Sequence, residues 1–130
     1  MRAEENLTAS YEPLEELLGK ADFVALTVPL TPKTKGIIGL AELGLMKPSA
    51  FLINIARGPV LNHNALTDAL ERRLIAGAAL DVTEPEPLPR DHPLLAMDNV
   101  IITSHLGSAT VQTREAMARR WIDNLVAGLS

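Results

Sequence analysis

The sequence predicts an α/β fold that is built on a parallel sheet with flanking helices. Three apolar runs, at 50–55, 77–82 and 99–103, each end within two residues of a charged or titratable side chain. Such runs are typical of strands that are buried on both faces of a parallel sheet. Amphipathic segments and short joins separate the runs, and this alternation of strands and helices is the signature of parallel α/β proteins.

Local signals support each element. Leu14, Leu17 and Leu18 share one face of a first short helix, and Gly19 is a natural stop for it. The last helix carries a wide apolar arc that needs cover from something besides the sheet, and Ser108 or Thr110 caps it. In chain order, the predicted strands are 21–28, 50–55, 77–82 and 99–103, and the predicted helices are 12–19, 37–46, a segment capped by Asn62 or Asn64, and 107–128.

Composition limits the class of protein. The 130 residues suit one domain or part of a larger one, and an apolar fraction of 47% can supply a core. A net charge of −4 argues against nucleic acid as the main partner. The chain has no cysteine, no secretory signal and no apolar run near the roughly 20 residues that span a bilayer. These features together predict a cytoplasmic protein.

The parallel sheet brings a chemical constellation to one edge. Arg57, Glu86 and His105 follow predicted strands, and Asp81 lies at the end of one. Ligands bind at the carboxyl edge of open α/β sheets. A guanidinium can hold a carboxylate through two parallel hydrogen bonds. An imidazole titrates near neutral pH, and a neighbouring carboxylate favours its protonated form. The residue types therefore suit binding of a small acid combined with proton transfer.

The same residues also have explanations that involve no ligand or catalysis. Arg57 is also explained as a surface arginine before a turn, and Glu86 as a solvated loop carboxylate with Glu84 as its competitor. Asp81 ends a buried strand and needs a partner there, which a cap or turn would equally provide. His63 and His92 are interpreted as surface residues, and the three scattered histidines do not suggest a metal site.

Three motifs resemble those of the D-isomer-specific 2-hydroxyacid dehydrogenases, with the closest likeness to the glyoxylate/hydroxypyruvate reductase branch. The motifs are INIARG at 53–58, GAALDV at 77–82 followed by Glu86 and Pro87, and HLGSAT at 105–110. Their order and spacing also fit that family, and the likeness extends from about Leu14 to Gly128. One departure is Ser104, because proline commonly precedes the catalytic histidine of the family.

The resemblance implies an oxidoreductase that uses NADP or NAD to reduce glyoxylate or hydroxypyruvate. It implies Arg57 as the anchor of the substrate carboxylate, His105 as the catalytic acid/base and Glu86 as the partner of His105. It further implies cofactor contacts from Pro29, Ile55, Asp81 and Gly107, and substrate contacts from Arg57, His105 and Ser108. Pro29 is equally explained as a residue that ends a strand. Full-length members of the family are expected to be homodimers.

A glycine-rich phosphate turn of the form G-x-G-x-x-G is missing from the sequence, as is a separate substrate domain. We therefore expect the second half of a Rossmann-type dinucleotide-binding domain, with doubtful activity as an isolated chain. The alternatives are a non-catalytic dinucleotide-binding or corepressor-like protein and an inactive fragment. Arg2 lies near the position of an arginine that binds the cofactor 2′-phosphate in the reductase branch.

Overall fold

A four-stranded parallel sheet is the centre of the protein, which is described here by a computed structural model covering residues 9–129. The strands are β1 (Phe23–Leu26), β2 (Phe51–Asn54), β3 (Gly77–Leu80) and β4 (Val100–Ile102). They lie side by side in chain order, and every neighbouring pair is parallel. The predicted Rossmann-type sheet and the order of its strands are confirmed.

Four α-helices accompany the sheet in the described part of the chain: α1 (Leu14–Lys20), α2 (Leu40–Leu45), α3 (His63–Glu71) and α4 (Val111–Leu129). Asn62 rather than Asn64 caps α3, because its Oδ1 accepts a hydrogen bond from the Ala65 N–H at 3.1 Å. Leu18, Leu43 and Leu66 from the first three helices are fully buried with the sheet residues Leu52 and Leu80. This cluster forms the hydrophobic core.

Three helices begin later than the sequence predicts. Helix α1 begins at Leu14, directly after Pro13, rather than at residue 12. The predicted start of α2 at residue 37 is wrong, because Ile38 forms an isolated parallel bridge with Leu61 instead. The predicted start of α4 at Gly107 is also wrong: Gly107 and Ser108 lie in a turn in which the Ala109 N–H donates to the Leu106 carbonyl at 2.9 Å, and the helix begins at Val111. Thr110 caps α4, since its Oγ1 accepts from the Thr113 N–H at 3.2 Å.

Helix α4 has no buried residue. Its apolar side chains are therefore uncovered, with Trp121 75% exposed and Ile122 59% exposed. The sequence predicts that this arc needs cover from outside the sheet, and the described residues do not provide it. No helix within residues 9–129 combines the length and the apolarity that crossing a bilayer requires.

Gly58→Ala is expected to lower the free energy of unfolding by about 1–3 kcal/mol. Gly58 is buried in the turn after β2, and a Cβ there would overlap the carbonyl oxygen of Thr83 in the turn after β3. One of the two backbones must therefore move, and urea denaturation measures the cost.

Gly44→Ala is the matched control for this substitution. Gly44 lies inside α2, and no described atom is within 4 Å of a Cβ at that position. Alanine should stabilise this helix by up to about 1 kcal/mol. Equal stabilities for the two variants would show that the turns do not approach each other as closely as the structure indicates.

Candidate active site

The turns that follow β2, β3 and β4 form the candidate site, and all three leave the carboxyl edge of the sheet. Buried Asn54 shapes the first turn: its Nδ2 donates to the Arg57 carbonyl at 3.2 Å, and its Oδ1 accepts from the Ala56 N–H at 3.1 Å. Asn54 is a site residue that was not among those predicted from the sequence. Its signal is a polar side chain at the end of an otherwise apolar strand, where burial requires internal hydrogen bonds.

His105 and Glu86 are in direct contact. The His105 Nδ1 lies 2.8 Å from the Glu86 Oε1, and both side chains are a little over two-fifths exposed. The Thr83 N–H donates to the other oxygen of Glu86 at 3.4 Å. Of the two candidate carboxylates, Glu86 therefore meets the histidine, whereas Glu84 lies at a separate cavity that His63 also lines.

Glu86 is held in its charged form. The hydrogen bond with His105 is the main cause that lowers the pKa of Glu86, and the Thr83 N–H and the positive charges of His105 and Arg57 act in the same direction. Partial burial opposes these effects. A carboxylate that stays ionised at neutral pH favours an imidazolium beside it, which is the form that can donate a proton.

Asp81 organises the turn that carries His105. Its Oδ1 accepts hydrogen bonds from the Thr103 hydroxyl at 2.5 Å and the Leu106 N–H at 2.7 Å, and its Oδ2 accepts from the Gly107 N–H at 2.8 Å. These hydrogen bonds lower the pKa of Asp81, and the bond from Thr103 has the largest effect. From the sequence, Asp81 could either contact the cofactor or stabilise a turn. In the structure its carboxylate stabilises the turn after His105.

Two cavities of about 470 Å³ each lie along this edge. The first is bounded by the residues after β1 and β2, among them Pro29, Ile55 and Arg57. The second is bounded by the residues after β3 and β4, among them Glu86 and His105, with an apolar wall of Leu88, Leu95 and Ile102. The edge of the sheet thus offers one recess beside the guanidinium and another beside the imidazole.

Arg57 is exposed and close enough to Glu86 for its charge to affect the pKa of that carboxyl. Its Nη1 donates to the Ala56 carbonyl at 2.7 Å, so the guanidinium is folded back on its own turn. The remaining N–H groups of a guanidinium point outward in a fixed fork that matches a carboxylate. Arg57 is therefore placed where its outward N–H groups can bind an acid.

Ser108 is half-buried between the His105 turn and α4, and it does not belong to that helix. The N–H of Gly107, for which the family resemblance implies a cofactor contact, is donated to the Asp81 Oδ2. Arg2, the candidate for contact with a cofactor 2′-phosphate, lies outside the described residues.

His63 is not a surface residue, and the interpretation made from the sequence is wrong. It is the first residue of α3, it is 6% exposed, and its Nδ1 lies 3.2 Å from the Leu61 carbonyl. Burial lowers the pKa of His63, which favours the uncharged ring. His92 is half-buried, and its Nδ1 accepts from the Leu94 N–H.

The parallel sheet and the ligand-accessible recesses at its carboxyl edge define the protein as a Rossmann-type α/β domain. The sequence profile described as the D-isomer specific 2-hydroxyacid dehydrogenase, NAD binding domain matches residues 1–107. The chain belongs to this family of NAD-binding oxidoreductases.

Two curated relatives show the extent of the similarity. The chain is 50% identical over 128 residues to glyoxylate/hydroxypyruvate reductase B of Pectobacterium carotovorum subsp. carotovorum, covering 98% of this chain and 40% of the relative. It is 52% identical over 126 residues to the glyoxylate reductase of Pyrococcus furiosus, covering 97% and 37%. The chain therefore spans about two-fifths of the length of these relatives.

Solved structures agree with this assignment. The TT0316 protein of Thermus thermophilus matches 98% of this chain and 41% of its own with a TM-score of 0.88 and 48% identity. The NAD-complexed dehydrogenase of Lactobacillus delbrueckii ssp. bulgaricus matches 92% and 40%, with a TM-score of 0.85 and 35% identity. A Xanthobacter autotrophicus Py2 dehydrogenase in complex with NADPH and MES matches 72% and 30%, with a TM-score of 0.70 and 46% identity.

Proposed function

We propose that the chain forms the catalytic half of an NAD(P)-binding domain in an enzyme that reduces glyoxylate or hydroxypyruvate. The contact between His105 and Glu86 carries the proposal, because it couples a proton-donating group to an ionised carboxylate at the ligand edge. Support also comes from the two relatives, which are named for reduction of these acids.

Each residue has a defined role in the proposed reaction. Arg57 holds the carboxylate of the 2-oxo acid through its guanidinium fork. The His105 Nε2, the ring nitrogen opposite Glu86, donates a proton to the ketone oxygen, and Glu86 orients the ring and stabilises its charged form. When bound, a reduced nicotinamide would supply the hydride. Ser108 lies close enough in sequence to His105 to add a substrate contact.

The cofactor is assigned as NADP or NAD. The recess lined by Pro29 and Ile55 is apolar on the side of β1 and suits an adenosine. Asp81 borders the recess of His105, where the nicotinamide would lie, and Gly107 is joined to that recess through its hydrogen bond to Asp81. The bound NAD and NADPH of the solved relatives support both options. The glycine turn that cradles the pyrophosphate, and the substrate domain, belong in this proposal to sequence outside the chain.

The proposal includes three further features of the complete enzyme. It is cytoplasmic, it has a small 2-oxo acid rather than nucleic acid as its partner, and it is a homodimer. The net charge of −4 argues against nucleic acid as the partner. The uncovered apolar side chains of α4 support burial of that helix in a larger assembly.

A chimeric enzyme tests the proposed function. The matching 126 residues of the Pyrococcus furiosus glyoxylate reductase are replaced by those of this chain. The chimera is then assayed with glyoxylate and hydroxypyruvate in the presence of NADH or NADPH, beside the parent enzyme. We expect measurable turnover. A folded chimera that binds NAD(P)H without turnover would place the chain among non-catalytic dinucleotide-binding proteins.

The isolated chain provides the second arm of the test and is expected to show no turnover. Positioning of both reactants contributes on the order of 7–11 kcal/mol in favourable cases, and the chain has no G-x-G-x-x-G turn to hold the pyrophosphate. Fluorescence titration with NADH and NADPH measures binding directly. Micromolar affinity together with turnover would show that the additional sequence of the relatives is dispensable.

Glu86→Gln is expected to shift the pH profile of the chimera rather than abolish its activity. Glu86 has a lowered pKa, so its charge is present at neutral pH and is lost only as the pH falls through that pKa. A neutral amide removes this charge and no longer stabilises an imidazolium. The limb on which activity declines with rising pH should therefore move to lower pH, and an unchanged kcat/KM profile would contradict the role.

A further inference from the structure

The segment 103–107, which follows β4, is held by one side chain, Asp81, in the turn that follows the neighbouring strand β3. Asp81 accepts hydrogen bonds from Thr103, two residues before His105, and from Leu106 and Gly107, the two residues after it. An ionised carboxylate offers about four acceptor positions, so these donors occupy most of them. The carboxylate therefore fastens the chain on both sides of His105, at three points of attachment.

His105 needs such attachment because of its backbone conformation. Its φ is +58°, in the left-handed region that side-chain-bearing residues adopt only when their surroundings impose it. The residue before the histidine is Ser104, so no proline ring stiffens the backbone there. Close approach also requires glycine at position 107, where a Cβ would lie 3.1 Å from the Asp81 Oδ2.

We infer that Asp81 is a positioning residue for His105, and that together with the Thr103 hydroxyl it holds the histidine backbone in the left-handed conformation that directs the ring to Glu86. This inference deepens the proposed function, because His105 is its proton donor. It gives Asp81 a role that differs from a contact with the nicotinamide, although the remaining acceptor position leaves room for one. We call the three hydrogen bonds that Asp81 accepts from Thr103, Leu106 and Gly107 the clamp. They form within the chain itself, so the clamp can be tested without an activity assay.

Asp81→Asn tests the inference in the isotopically labelled 130-residue chain by NMR. An amide keeps one acceptor oxygen, so it can satisfy the donors at Oδ1 or at Oδ2 but not both. If its oxygen keeps Thr103 and Leu106, its NH₂ group faces the Gly107 N–H. We expect hydrogen exchange of the Gly107 amide to become roughly tenfold faster or more. The backbone couplings that report φ at His105 should average away from the left-handed value.

Thr103 provides a pair of variants that leaves all charges unchanged. Thr103→Val removes the hydroxyl donor at nearly constant shape, and it should loosen the His105 backbone in the same direction. Thr103→Ser keeps the hydroxyl and should restore the wild-type couplings. Asp98→Asn is the control for the charge change, since exposed Asp98 precedes β4 at the opposite edge of the sheet. The ring signals of His63 and His92 should stay constant throughout.

The outcomes separate this inference from the proposed function. Unchanged couplings at His105 in both Asp81→Asn and Thr103→Val would overturn the clamp. If Asp81→Asn does not fold, the comparison of Thr103→Val with Thr103→Ser decides alone. In the chimera, Asp81→Asn should lower kcat more than it raises KM for glyoxylate. An inactive wild-type chimera would count against the proposed function, while the NMR result would still decide the clamp.

Discussion

His105→Gln in the chimeric enzyme is expected to lower kcat for glyoxylate reduction by roughly 10²–10⁴-fold, the usual contribution of a positioned general acid. Glutamine is polar and of similar length, so it can still meet the Glu86 oxygen that now lies 2.8 Å from the imidazole. It cannot release a proton near neutral pH. The loss should therefore appear in kcat, with a much smaller effect on the dissociation constant of NADH.

Two measurements make this result specific. His92→Gln is the matched control, because His92 is a half-buried histidine whose Nδ1 accepts from Leu94 outside the proposed reaction centre. Its kcat should equal that of the unsubstituted chimera. Steady-state kinetics and fluorescence titration of NADH are compared for both variants. A His105→Gln enzyme with near-normal kcat would remove the imidazole from the proton-transfer step and would leave the candidate site without an acid.

Arg57→Lys is expected to lower kcat/KM for glyoxylate by roughly 10- to 100-fold while cofactor affinity stays nearly constant. Lysine retains the positive charge but loses the planar fork that binds both oxygens of a carboxylate. Lysine also cannot reproduce the 2.7 Å hydrogen bond from the guanidinium to the Ala56 carbonyl while binding substrate with a second N–H in the same plane. The loss should appear mainly as a raised KM for the acid.

A matched substitution separates this effect from general disturbance. Arg72 pairs with Asp68 on the exposed face of α3 at 3.0 Å, and Arg72→Lys preserves that ion pair far from the sheet edge. It should leave kcat/KM unchanged. Equal losses in glyoxylate turnover and in NADH binding for Arg57→Lys would place the guanidinium against the cofactor rather than the substrate carboxylate.

The sheet was predictable from the sequence because its signal is local. A strand buried on both faces must be apolar throughout, so each strand is visible as a continuous run without knowledge of its neighbours. The ends of the strands were less predictable. The run 21–28 yields only Phe23–Leu26 as a strand, because the hydrogen-bond ladder lasts only as long as β2 lies alongside.

The helices show the same division between local and distant causes. Asn62 and Thr110 act on N–H groups three residues away, and both were identified from the sequence among two candidates each. The late start of α2 depends on Leu61, and the path of the turn before α4 depends on Asp81; these partners are remote in sequence from Ile38 and Gly107. A local sequence pattern cannot predict that the backbone groups of Ile38 and Gly107 bond to residues so far away in the chain.

The sequence by itself determined the parallel α/β class, the strand order and the set of side chains that reach one edge, because these follow from hydrophobic pattern and from short, right-handed connections. Only the tertiary structure decided which of these side chains meet. The family resemblance already favoured Glu86 over Glu84 as the partner of His105, and the structure shows the two side chains in contact. The structure alone directed Asp81 to the backbone around the histidine. It also buried His63. Contacts of this kind depend on the paths of turns that approach each other from different strands, and those paths are set by packing between residues far apart in the chain.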